Sequence, residues 1–362
     1  TASLAPADLR KAGPAMDLAL ATALLGAAGD LKIEPLAGWS LVGELALDGS
    51  VRPVRGALAM AEEAREQGRR GVIVPTANGP EAALAEGITV LTIDNFGELA
   101  SLQQGEIPGR LAIPAVPGGS DEMPDLADLR GQGHLRAAVE ISAAGGHGLL
   151  MIGPPGAGKS LAARRLPSVL PPLAGEEVLE VARIASACGI GDGRISSTRP
   201  FRAPHHTVSA AGLVGGGSPP RPGEITLAHR GVLFLDELCE FNRPALEALR
   251  EPLESGSVTI ARARGRQTLP CRFTLVAAAN PCPCGRGEED PRCRCSEMSA
   301  RRYRAALSGA LVDRIDLVVA VTQPSAEALA GPPGERSPEV RKRVILAREL
   351  MAERLGDGRT NS

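Results

Sequence analysis

The 362-residue chain is 43% apolar and 23% charged, an ordinary balance for soluble globular protein, and its length suits two or three domains. A net charge of −2 excludes a global basic field for nucleic acid, so such a site must be a local patch. No apolar stretch approaches the roughly 18 residues of a membrane span, and the opening residues carry no signal-peptide pattern. Seven cysteines, four of them in one short segment, fit a reducing cytoplasm and a metal site better than a disulfide scaffold.

Residues 1–100 alternate helical and strand patterns. Asp17–Ala28 is expected to form an apolar helix, Leu41–Leu47 a strand, Arg55–Gln67 an amphipathic helix and Gly71–Pro75 another strand. Glu81–Ala85 and Thr89–Ile93 repeat the helix–strand order, so this block is a small α/β unit. Residues 101–123 are rich in Pro and Gly and read as a linker. Thr1 is not Met and the chain stops soon after a helical stretch, so a fragment trimmed at both ends is expected.

The apolar run Leu149–Ile152 leads into Gly153, Pro154, Pro155, Gly156, Ala157, Gly158, Lys159, Ser160 and Leu161. This is G-x-x-x-x-G-K-[ST] between a buried strand and an alanine-rich helix. The glycines let backbone N–H groups turn around a di- or triphosphate, and the helix N-terminus faces the anion. Lys159 is expected on the β- and γ-phosphates and Ser160 on Mg²⁺, so the chain is expected to bind ATP. Further on, the glycines and prolines of Arg202–Gly223 forbid a regular helix or central strand, and the segment is expected to project as a flexible insert. His205 and His206 lie within it, but neighbouring side chains face apart in extended chain, which makes them a poor metal pair.

Gly231–Leu235 ends in Asp236 and Glu237, an apolar strand followed by two carboxylates. After a phosphate loop, that pattern is a Walker B strand, with Asp236 on Mg²⁺ and Glu237 activating the attacking water; a solvated acidic turn is the other reading. Ser257–Ile260 and Gln267–Phe273 flank an Arg-rich tip holding Arg262, Arg264 and Arg266, so a β-hairpin is expected. Its guanidiniums can grip DNA phosphates, or form an ordinary solvated tip. Phe273–Ala279 is a third strand ending in Asn280, either a turn residue there for backbone reasons or, given its order after the two Walker elements, a γ-phosphate sensor.

Cys282, Cys284, Cys293 and Cys295 form C-x-C…C-x-C, a tetrahedral Zn²⁺ set or four reduced, metal-free thiols. Arg314 follows in a Leu-Ser-Gly-Ala-Leu-Val-Asp-Arg-Ile-Asp run. It is either a surface ion pair or an arginine finger, worth roughly 10³–10⁵ in rate where such a group acts. A finger acting in a neighbour's site requires a ring or filament. The tail Ser337–Leu355 has charged helical periodicity and no visible partner.

In order, GPPGAGKS, FRAPHHTVSAAGLVGGG, PGEITLAHRGVLFLDEL, LREPLESGSVTIARARG, AAANPCPCG and LSGALVDRIDLVV resemble the magnesium-chelatase-like AAA+ ATPases, and within them the ComM/YifB family. The resemblance spans about Gly131–Val321. It implies an α/β fold: an αβα P-loop core (124–322) with a helix-2 insert and a pre-sensor hairpin pointing into a ring pore. A Lon-protease-like, S5-like α/β domain (1–100) is expected before it, and the start of a truncated helical lid (323–362) after it. Gly13-Pro14-Ala15 has Ala where active Lon-type domains carry Ser, and residues 51–67 contain no lysine, so the first domain is expected to be catalytically silent. The implied activity is that of a cytoplasmic hexameric DNA helicase. It would drive branch migration on single- and double-stranded DNA in recombination and natural transformation, with no membrane partner. A magnesium-chelatase ATPase subunit is the alternative, opposed by the Lon-like domain and the cysteine loop.

Overall fold

The computed structural model describes residues 13–115, 123–190, 196–217, 221–262, 265–287, 290–305 and 311–355. The chain divides into two compact units, Thr1–Gly119 with Gly175–Ser197, and Ser120–Ala174 with Thr198–Ser362. In the first, α1 (Asp17–Ala28) precedes β1 (Trp39–Leu41), the antiparallel pair β2 (Glu44–Leu45) and β3 (Val51–Arg52), and α2 (Ala57–Glu66). Next come β4 (Gly71–Pro75), α3 (Gly79–Ala82), β5 (Thr89–Ile93) and β6 (Arg110–Leu111). The sheet order is β1-β4-β5-β6, parallel until the antiparallel edge strand β6. Every residue of β4 is buried, as its continuous apolar run requires.

The expected strand Leu41–Leu47 is broken. The Val42 N–H still bonds the Ile73 carbonyl, but the Gly43 N–H turns to Ala15. β2 then pairs with β3 instead, which leaves Leu47 fully exposed. The helix expected over Glu81–Ala85 starts earlier, at Gly79, because Pro80 suits a first helical turn. A 3₁₀ run over Phe96–Gln104, opened by an Asn95–Glu98 capping box, extends into the Pro/Gly-rich stretch and leads to β6.

The second unit opens with α4 (Gly133–Gly145), β7 (Leu149–Ile152) and α5 (Lys159–Val169). The helix that follows, α6 (Glu176–Cys188), belongs to the first unit, where Ala182 joins the core around Leu58 and Arg183 pairs with Glu62 at 2.8 Å. Back in the second unit come β8 (Phe201–Arg202), α7 (Ala210–Val214), β9 (Gly215–Gly216), β10 (Arg221–Pro222) and α8 (Glu224–Leu227). They are followed by β11 (Val232–Leu235), α9 (Arg243–Glu247), α10 (Arg250–Ser255), β12 (Ser257–Arg262) and β13 (Gly265–Pro270). β14 (Thr274–Ala279), α11 (Glu297–Ala305), β15 (Leu317–Ala320), α12 (Ala326–Ala330) and α13 (Ser337–Leu355) complete it.

Five parallel strands form one sheet in the order β15-β7-β14-β11-β8. Alternate side chains enter opposite cores. Leu149 and Met151 pack with Leu166, Phe234 and Val276, while Leu150 packs with Leu233, Leu235 and Leu275. Both faces are covered, which is why β11 and β14 read as unbroken apolar runs.

Three further expectations are revised. The Arg202–Gly223 segment does contain a helix, α7, because Ser209 caps it through the Gly212 N–H at 3.1 Å and Leu213 is fully buried. Its Gly and Pro content limits that helix to five residues rather than forbidding it. The Arg-rich hairpin is present, but its ladder extends to Arg262↔Gly265, and Phe273 falls outside it. The tail also has partners. Val340, Val344 and Met351 of α13 are buried, and Arg341 and Arg348 donate to the carbonyls of Ser168 and Ala143.

Candidate nucleotide site and cysteine knuckle

The carboxyl ends of β7, β11 and β14 deliver the expected residues to one place. Gly158 caps α5 in the left-handed region at φ +94°, a turn that glycine accepts without strain. The Lys159 ammonium then has three acceptors for its three protons: the Gly153 carbonyl, the Pro154 carbonyl at 3.0 Å and the Asn280 Oδ1 at 3.2 Å. Burial lowers its pKa from the ordinary lysine value, opposed by the negative charge of Asp236. The Ser160 hydroxyl donates to Asp236 Oδ2 at 2.6 Å, which places together the two oxygens expected to share Mg²⁺. Pro155 to Leu161, Asp236, Glu237 and Asn280 line a cleft of about 510 Å³. Gly153 and Pro154 act from behind it, as carbonyl acceptors.

Glu237 adopts a left-handed backbone (φ 55°, ψ 47°), a conformation that costs a non-glycine residue on the order of 1–3 kcal/mol and clusters at functional sites. Its carboxylate meets His206 Nδ1 at 3.1 Å. Sequence reasoning missed this contact. It also misplaced the two histidines, whose rings lie 4.1 Å apart because the chain turns at His206 instead of running extended. Gln132 was missed as well. Buried, it donates to the carbonyls of Ala157 and Thr322 at 3.0 and 2.7 Å and ties the phosphate loop to the end of β15.

Arg314 does not line the cleft of its own chain; it pairs with Glu254 at the end of α10. Its neighbour Asp316 accepts instead from the Gly148 N–H at 2.8 Å. Of the hairpin arginines, Arg262 ends β12, Arg266 is exposed on β13, and Arg264 lies outside the described residues.

Cys282, Cys284, Cys293 and Cys295 bring four Sγ atoms within 4.8 Å of one another. Cys282 is 3.3 Å from Cys284 and 3.8 Å from Cys293, and Cys284 is 3.6 Å from Cys293. A Zn–S bond of about 2.3 Å gives tetrahedral S···S edges of about 3.8 Å, so the donor set fits zinc. The Gly287 N–H donates to Cys282 Sγ at 3.3 Å. A backbone N–H bond from Arg286, then the Cys282 thiol, lowers the Cys284 thiol to about 6. Such outer N–H···S contacts orient thiolate ligands and tune their basicity. Among the described residues, these four cysteines are the group suited to a metal.

Residues 125–329, more than half of the chain, match the family model described as magnesium chelatase, subunit ChlI. Residues 1–78 match a second model, subunit ChlI of Mg-chelatase. YifB of Escherichia coli is 44% identical over 357 residues, covering 98% of this chain and 70% of the relative. The competence protein ComM of Haemophilus influenzae is 40% identical over 368 residues, covering 98% and 71%. The chain belongs to the ComM/YifB family of magnesium-chelatase-like AAA+ ATPases. An uncharacterized protein of Mycobacterium tuberculosis is 47% identical over 360 residues, 98% of this chain and 71% of the relative. Membership of this family accounts for the five-stranded α/β core of the present chain and identifies the chain as an ATPase in general. No described helix of this ComM/YifB-family chain is long and apolar enough to cross a membrane.

Proposed function

We propose that this chain is a cytoplasmic ATP-driven DNA helicase that works as a hexameric ring and promotes branch migration during recombination and natural transformation. The ATPase at the centre of this reading is supported by one observation: Lys159, the Ser160–Asp236 pair, Glu237 and Asn280 converge on a single cleft. Bound ATP·Mg²⁺ supplies the transferable phosphoryl group. Lys159 neutralises its β- and γ-oxygens, Ser160 and Asp236 hold the cation, and Glu237 takes the proton of the attacking water. Asn280, bonded to Lys159, reports the γ-phosphate to β14. Arg314 stands clear of its own cleft and is assigned to a neighbouring subunit's site.

DNA is the assigned substrate because Arg262 and Arg266 lie on the paired hairpin strands β12 and β13, and because a relative is a competence protein. Arg262, Arg264 and Arg266 would contact phosphates without reading sequence. The first unit is assigned a silent Lon-like scaffolding role, and the four cysteines one structural Zn²⁺. The test is ATP turnover by the full chain with and without single-stranded DNA across a salt series. DNA should stimulate turnover severalfold, and the stimulation should fall steeply with salt. Turnover indifferent to DNA at every salt concentration would remove the DNA reading and leave the ATPase standing.

A further inference from the structure

We propose that the cysteine knuckle is a metal-linked brace for the nucleotide site, so that metal in the knuckle and nucleotide on the phosphate loop favour each other's binding. The proposal rests on the zinc reading above and adds a regulatory consequence to it. The knuckle starts two residues after Asn280, and its first ligand, Cys282, is fully buried. The Gly285 N–H closes a turn onto the Cys282 carbonyl at 2.9 Å. Gly285 is left-handed at φ +81°, and a Cβ there would sit 2.8 Å from Cδ and Cγ of Pro155 and 4.0 Å from Cγ of Asn280. The turn therefore lies directly on the phosphate loop. From another direction, Gln323 Nε2 donates to the Pro155 carbonyl at 3.2 Å, so Pro155 is held between the knuckle and the segment after β15.

The far end of the knuckle reaches the other half of the site. α11 begins two residues after Cys295, and its Tyr303 lies beside Cys239 in the turn that follows Glu237. The loop thus lies against the phosphate loop and Asn280, and the helix that follows it reaches the turn after Glu237. Four sulfurs within 4.8 Å hold together as thiolates only around a cation. Losing that cation separates them and withdraws the turn from Pro155 and Asn280. Linkage then requires the converse, that nucleotide tightens the metal by the same factor.

The experiment uses the purified full chain. Its zinc content is measured first, then its dissociation constant for a fluorescent ATP analogue as purified, after a zinc-selective chelator that leaves Mg²⁺ in place, and after zinc is returned. Removal should weaken nucleotide by about tenfold and zinc should restore it. In the reciprocal arm, saturating nucleotide should raise the chain's zinc affinity by the same factor in a chelator competition, a measurement that never requires the metal-free state to stay folded. Gly285→Ala should keep zinc yet weaken nucleotide. A chain that carries zinc but shows equal nucleotide affinity with and without it, and equal zinc affinity with and without nucleotide, overturns the coupling and leaves the zinc site intact. A purified chain without zinc, unable to take it up, overturns both.

Discussion

In the proposed mechanism Lys159 and Glu237 divide the work of the cleft, and their variants should fail differently. Lys159 is buried with all its protons committed, so Lys159→Ala should abolish measurable ATP binding. Glu237 is half exposed and does not hold the phosphate chain. Glu237→Gln should keep ATP affinity within about threefold while turnover falls about 10²–10⁴-fold, as loss of a general base does. Equilibrium binding and single-turnover hydrolysis on the same preparations separate the two. The places of these residues were legible in the sequence because each lies at a fixed offset after an apolar strand, Lys159 past the glycine loop after β7 and Glu237 directly after β11. His206 was not. Its contact with Glu237 depends on a turn between two distant elements, and no spacing rule encodes that.

Elements were legible where the cause is local. The apolar run Asp17–Ala28 became α1 with the expected bounds, and β4 followed its five-residue apolar pattern. Where the cause is tertiary the sequence was silent, as with the break after Leu41 and the partners of α13, which lie in α4 and α5. Asp125 fastens that last helix. Its Oδ1 accepts from the Ala127 N–H at 2.9 Å, the Ser337 N–H at 2.8 Å and the Ser337 hydroxyl at 3.1 Å.

Burial alone would raise the Asp125 pKa, but the bonds from Ala127 and Ser337 outweigh it, and the pKa lies below its ordinary value of 3.8. A lowered carboxylate pKa stabilises the fold above the unfolded value, and the contribution disappears as pH falls through the folded one. Asp125→Ala should therefore cost about 1 kcal/mol at pH 7. In denaturant titrations its gap from the parent should narrow below pH 3.8. The hairpin makes a separate prediction. Replacing Arg262, Arg264 and Arg266 together by Ala should weaken DNA binding and flatten its salt dependence, with ATP affinity unchanged. Equal DNA affinity in parent and variant contradicts the hairpin assignment.

At the scale of the whole molecule, the position of Arg314 matters most. It is paired with Glu254 and outside its own cleft, so Arg314→Ala should retain ATP binding and lose turnover. Mixing that variant with Lys159→Ala chains should restore part of the activity, because a mixed ring recreates some complete sites. No recovery at any ratio contradicts the shared site. The central claim is that ATP hydrolysis in this cleft moves DNA strands, and three-strand branch migration by the full chain tests it most directly. The account predicts strand exchange that requires ATP and Mg²⁺ and is lost in Glu237→Gln. Vigorous ATP turnover on the same substrate with no movement of the branch point, or movement that Glu237→Gln leaves untouched, would contradict it.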